Sequence, residues 1–173
     1  MGGFAQNAKY WLVFKVLSAV LILLPVQVFA QDTAATGGNL WVSPGAETAL
    51  YSVSGVTFGG GLSLAYGRGT SVGIKTAYFS DFEGLLGILE LNILLRFFFT
   101  GQDSGPFIQF TGGPALFFRQ DSSIAIPAEW GMVSGGMALG WRFLLSEILF
   151  LEPSLRGGYP YIAGAGLSMG ARF

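Results

Sequence analysis

The stretch GLLGILELNILLRFFF, Gly84 to Phe99, decides how the rest of the chain is read. It is the most apolar run beyond the N-terminal region, yet Glu90, Asn92 and Arg96 interrupt it. On an α-helix Asn92 and Arg96 would sit about 200° and 240° around the axis from Glu90, on no common face. On a strand all three share one parity, and Leu89, Leu91, Ile93, Leu95, Phe97 and Phe99 share the other. The segment therefore reads as a strand with one apolar and one polar face.

The same test of period two, run outward from this segment, divides the chain into eight strands at 39–51, 55–67, 70–81, 85–100, 106–119, 129–144, 147–158 and 161–173, separated by Gly, Ser, Asp or Pro clusters. The last strand is the clearest. Tyr161, Ala163, Ala165, Leu167, Met169, Ala171 and Phe173 form one face, against Gly164, Gly166, Ser168, Gly170 and Arg172. In the sixth, Val133, Met137, Leu139, Trp141 and Phe143 oppose Ser134, Ala138 and Arg142. The first is the weakest, with Val42, Ala46 and Leu50 opposite Ser43, Glu47 and Tyr51.

Composition says which way these faces turn. The chain is 51% hydrophobic and 15% aromatic, with 27 glycines, and only 11% charged, where a soluble domain carries roughly a quarter. Of the charges beyond residue 30, eight are assigned to the N-terminus, turns and loops, and nine to strand faces: Glu47, Lys75, Glu90, Arg96, Arg119, Arg142, Glu152, Arg156 and Arg172. All nine lie on the less apolar face. A soluble β-sandwich or lipocalin-like barrel would present that face to water and carry many more charges. Here it is mostly Gly, Ser, Thr and Ala, as befits a cramped interior. The expected fold class is all-β, an eight-stranded antiparallel up-and-down transmembrane β-barrel.

A barrel of eight strands has room inside for side chains but no open channel. Glu47, Glu90 and Glu152 are then expected to pair across the lumen with Lys75, Arg96, Arg142 and Arg156, because an isolated ion there is costly. A structural ion-pair plug is favoured over a catalytic acid/base set or a gate. Outward-facing aromatics gather near strand ends: Tyr66, Phe97, Phe99, Trp141, Phe143 and Phe173 at one, Phe58, Tyr78, Phe118 and Tyr161 at the other. Two girdles at the headgroup levels are expected. Short turns such as Gly67-Arg68-Gly69 lie on the side of the termini, with Gly157-Gly158-Tyr159-Pro160 and the longest connection, 120–128 (QDSSIAIPA), opposite.

Residues 1–30 read as a cleavable signal peptide. Lys9 and Lys15 precede the apolar run VLSAVLILL, Pro25 breaks it, and Val28-Phe29-Ala30 supplies the cleavage site. An uncleaved anchor is the alternative, but it would hold Lys15 within a span of roughly 20 residues. The mature domain, 31–173, has 7 basic and 10 acidic side chains, a net charge of −3. That is no basic footprint for nucleic acid.

With no cysteine there is no disulfide, zinc-thiolate site or lipoprotein anchor, and with no histidine the commonest general base and metal ligand are gone. Gly59-Gly60-Gly61 is not followed by the helix and lysine of a phosphate loop. No cofactor, metal or catalytic residue is expected.

Together the leader, the eight alternating segments and the terminal strand YIAGAGLSMGARF resemble the small OmpA/OmpX-like outer membrane β-barrel family of diderm bacteria. The resemblance implies that Phe173, with Leu167, Met169 and Ala171 at alternate positions before it, is read by the barrel-assembly machinery. It also implies outer membrane lipids as partners and a monomer as the working unit. Lipid-modifying enzymes of this barrel size rely on histidine, so the resemblance does not extend to them. No segment after the barrel could bind peptidoglycan, and wall tethering is not expected. The expected role is a non-enzymatic integral outer membrane protein of the cell envelope. The alternatives are a surface-binding protein acting through Asp81, Glu83, 120–128 and Tyr159 to Tyr161, with an external ligand unknown, or a narrow small-solute pore.

Overall fold

The computed structural model of the protein describes residues 38–52, 55–119 and 129–173. Residues 1–30, expected to be a signal peptide with Val28 and Ala30 at its cleavage site, and residues 120–128 lie outside the described residues. Eight strands, β1 Asn39–Tyr51, β2 Gly55–Arg68, β3 Thr70–Asp81, β4 Leu86–Phe98, β5 Gly105–Arg119, β6 Glu129–Leu144, β7 Leu149–Tyr159 and β8 Tyr161–Arg172, close into one antiparallel barrel. Every strand pairs with its neighbours in sequence, and β8 returns to β1. Closure leaves no edge strand, so the backbone groups are satisfied within the sheet. The seam runs to the last residue, with Leu40 N–H donating to Phe173 O at 3.0 Å and Phe173 N–H to Leu40 O at 2.7 Å.

Strand positions match the sequence expectation within two residues at each end. β7 runs through Tyr159, so Pro160 alone separates it from β8, where a four-residue connection was expected. The side-chain alternation also follows the expected parity. Ile93, Val133, Leu155 and Met169 stand exposed on the outside, while Glu90, Asn92, Arg96, Arg142 and Glu152 are buried within.

Tyr161 is a correction. Expected on the outer face, it is 2% exposed and points into the lumen, while Ile162 is 62% exposed. The register between β1 and β8 shifts at Leu50/Tyr51, where Leu50 faces Ala163 but Tyr51 faces Tyr161. One extra residue in one strand reverses the phase beyond it.

The lumen also differs from the expected lining of small and charged groups. It is layered. At the end away from the termini Tyr51, Phe79, Phe117 and Tyr161 form an apolar cluster with Leu86 and Ile88. Tyr51 meets the other three rings edge-on at 5.8, 6.2 and 6.0 Å. At the termini end Trp41 and Phe150 meet edge-on at 6.4 Å above Ala65 and Leu94, and Phe98 meets Phe107 at 5.6 Å. Such edge-to-face contacts suit the ring quadrupoles. Inward glycines make the room. A Cβ on Gly170 would lie 2.4 Å from Phe150 Cζ and 2.5 Å from Val42 O, and one on Gly140 2.4 Å from Phe107 Cζ.

Candidate functional site

The ionised side chains gather between the aromatic layers, in two clusters. In the first, nearer the end away from the termini, Glu47 on β1 takes Lys75 Nζ from β3 on Oε1 at 2.5 Å and Arg156 Nη1 from β7 on Oε2 at 2.7 Å. Arg156 Nη2 reaches Glu90 on β4, at 2.8 Å from Oε2 and 3.1 Å from Oε1. Tyr51 O–H donates to Glu90 Oε1 at 2.5 Å, and Asn92 Nδ2 to its Oε2 at 3.4 Å. Ser134 O–H in turn donates to Asn92 Oδ1 at 2.8 Å. Arg156 is thus held between two carboxylates, with its guanidinium 3.7 Å from the Tyr161 ring centre. Two cations and two carboxylates balance here.

The second cluster lies toward the termini. Glu152 on β7 is its only carboxylate, and its Oε1 accepts from Arg96 Nη1 at 2.6 Å and Arg142 Nε at 2.5 Å. Gln109 Oε1 accepts from Arg96 Nη2 at 2.6 Å and Nε at 3.1 Å, and Ser168 O–H donates to Glu152 Oε2 at 3.3 Å. Both guanidiniums are stacked among aromatics. Arg96 lies 4.4 Å from the Trp41 ring centre and 4.1 Å from that of Phe107. Arg142 lies 4.0 Å from Phe150 and 4.6 Å from Trp41. Ring faces substitute in part for water around a cation.

The structure therefore brings together all of Glu47, Lys75, Glu90, Arg96, Arg142, Glu152 and Arg156 within one lumen. Arg172, read on the same face, does not join them: at the rim, its Nη2 donates to Glu147 O at 2.7 Å. The Arg119 side chain lies outside the described residues. Leu167, Met169 and Phe173 face outward along the closing seam, and Ala171 is half-buried between them.

Sequence reading missed Trp41, Phe79, Phe98, Phe107, Phe117 and Phe150, which lie on the polar-face parity. Their signal was there: an aromatic out of phase near a strand end has no membrane to face. It also missed Asp103 in the β4–β5 turn. Its Oδ1 accepts from Gly69 N–H at 3.0 Å in the β2–β3 turn, and Oδ2 accepts from the Asn39 amide. Three segments are tied together across the termini-end mouth. At the other end the Asp81 carboxylate accepts from Leu86 N–H at 3.2 Å, which makes it a turn cap.

For chemistry the arrangement offers little freedom. Each lumen carboxylate is already engaged by at least one cation. Among the described residues no group of three metal-ligating side chains forms. Between the clusters lies a cavity of about 30 Å³, lined by Ser43, Ser63, Lys75, Arg96, Gln109 and Ser168 among others.

No protein-family model matches the chain, and no curated protein matches it either. Solved structures do. The N-terminal β-barrel domain of Pseudomonas aeruginosa OprF superposes with a TM-score of 0.52 at 17% identity, covering 79% of this chain and 99% of that domain. Neisserial surface protein A gives a TM-score of 0.52 at 13% identity, covering 79% of this chain and 96% of that one. The chain has the fold of the small eight-stranded outer membrane β-barrels.

Proposed function

We propose that the protein is a non-enzymatic integral outer membrane barrel that contributes to envelope structure as a closed, lipid-facing cylinder. The observation that carries this is the contrast between its two surfaces. Outside, the strands present Leu91, Ile93, Val133, Leu139, Leu155 and Met169 to the surroundings. Inside, Arg96, Arg142 and Glu152 are almost wholly enclosed. Only an apolar solvent makes that inversion stable. Lipids are its surroundings, the barrel-assembly machinery its biogenesis partner through Leu167, Met169, Ala171 and Phe173, and the monomer its working form.

The interior favours a plug over a pore or an active site, since among the described residues aromatic layers flank the ion pairs and every lumen carboxylate is engaged by a cation. The test is refolding into lipid vesicles followed by electrophoresis with and without heating, and recording in a planar bilayer. A heat-dependent shift with no conductance steps is expected. Solubility without detergent or lipid would overturn the membrane reading, and regular conductance steps the closed-plug reading.

A further inference from the structure

The termini-end mouth is crossed by one of its own turns. Residues 99–104 join β4 to β5, and β5 begins at Gly105 directly beside Arg142 on β6. From there the turn reaches away from its own strands. Asp103 Oδ1 accepts from Gly69 N–H at 3.0 Å in the β2–β3 turn, and Oδ2 accepts from the amide of Asn39, which opens β1 three strands round the wall from β4. Neighbouring strands lie about 4.8 Å apart, so three steps along the wall amount to about 14 Å. A turn that stayed in line with the sheet would not reach Asn39; this one leans inward, and Asp103 is only 5% exposed although it lies in a turn.

The turn is built to lie there. Gly101 and Gly105 take φ of +67° and +89°, conformations that favour glycine. Thr100 O–H donates to Ser104 O at 2.6 Å and braces the turn from within. Gly69 receives it backbone to backbone, since a Cβ there would lie 2.7 Å from Gly101 O.

Charge gives the turn a second attachment. The strands bring four cations into the lumen, Lys75, Arg96, Arg142 and Arg156, and three carboxylates, Glu47, Glu90 and Glu152. Arg96 and Arg142 share Glu152. Asp103 makes the balance four against four, and its charge acts on Arg142 together with that of Glu152. Arg142 Nη1 and Nη2 have no hydrogen-bond partner among the described residues, so Asp103 serves it as a second counter-ion at a distance.

We propose that residues 99–104 form a strap that closes the termini-end mouth, locked by Asp103 onto Gly69 and Asn39 and drawn inward by the buried charge of Arg142. Released, the strap swings back toward β4 and β5 and opens the rim at Ser71, Trp41 and Arg142 to water. This goes beyond the closed-plug reading, because an open strap leaves the ion pairs and the far aromatic layer in place. The strap and the second ion cluster support each other: the strap supplies the acid that Arg142 lacks, and Arg142 holds the strap down. Ser71, 1% exposed and two residues past Gly69, is placed to report on it.

The chain has no cysteine, so one introduced thiol is unique. In the full mature barrel refolded in detergent, Ser71→Cys should react slowly with a charged methanethiosulfonate reagent. Asp103→Asn keeps the size of the side chain but removes its charge and one acceptor; it should speed the reaction about tenfold or more, the equivalent of one hydrogen bond to a charged group. Asn39→Ala cuts the other half of the lock with every charge in place, should act in the same direction, and serves where the first variant does not refold. Arg142→Met should also speed labelling but add little on top of Asp103→Asn, because both remove the same attraction. Thr57→Cys, buried near the opposite end of β2, should stay slow throughout. Equal rates at Ser71→Cys with the lock intact and cut would overturn the proposal, as would acceleration of Thr57→Cys in step with it, the sign of general loosening. Full additivity of Arg142→Met with Asp103→Asn would overturn the electrostatic hold.

Discussion

Glu152 holds the termini-end cluster together, because Arg96 and Arg142 both depend on its carboxylate. Glu152→Gln keeps the shape and removes the charge, leaving two buried guanidiniums with no carboxylate in contact. Breaking a buried pair from one side costs about 3–5 kcal/mol, and we expect a loss of that size in urea unfolding from lipid vesicles. Much of it should return in the Glu152→Gln/Arg142→Met double variant, which removes one stranded cation; a double variant as unstable as the sum of its parts would show that the two residues act independently. Tyr51→Phe probes the other cluster. Its hydroxyl donates to Glu90 within the aromatic layer, and its loss is expected to cost about 1–3 kcal/mol in the same assay.

β4 shows at the level of the element both what parity reveals and what it hides. Its odd positions from Leu89 to Phe97 are apolar and face out, and its even positions include Glu90, Asn92 and Arg96, which face in. That much is legible in the sequence, because a charge inside a strand has one tolerable direction. Leu86, Ile88, Leu94 and Phe98 also face in. A strand that passes through an aromatic layer, an ionic layer and a second aromatic layer is apolar on both faces at its ends, so alternation fades there. The pairing of particular ions was equally hidden. It depends on the stagger of the closed barrel, which brings Glu47 to Arg156 across 109 positions of chain, and no local spacing encodes it. Tyr161 escaped because a bulge leaves no mark in hydropathy when Ile162 and Tyr161 can each face lipid or core. Two substitutions test this account of the elements. Ile93, 67% exposed at the middle of β4, should cost about 2–4 kcal/mol as Ile93→Lys if it meets the bilayer midplane, and nothing measurable if it meets water. Gly170→Ala places a methyl against Phe150 and the backbone of β1 at once, so it should lower the heat-modification midpoint clearly, whereas Ala171→Gly next to it should change it little.

At the scale of the molecule, the described part of the lumen is filled in layers. An eight-stranded barrel is only wide enough inside for its own side chains, and here three successive layers occupy that width: Tyr51, Phe79, Phe117 and Tyr161; then the ion-pair clusters; then Trp41, Phe150, Phe98 and Phe107. The turns add a fourth restraint where Asp103 ties Asn39 to Gly69. If each layer blocks passage by itself, stability and permeability should separate under mutation. Trp41→Ala/Phe150→Ala removes the largest side chains of one layer and strips ring contacts from both Arg96 and Arg142. Large-to-small changes of this kind cost about 3–5 kcal/mol each, so the double variant should unfold at markedly lower urea concentration. In a planar bilayer it should nonetheless remain silent, because the ionic layer and the opposite aromatic layer still fill the lumen. Conductance steps in that variant would mean that the termini-end layer alone closes the barrel, and that the ion pairs part readily once their aromatic support is gone.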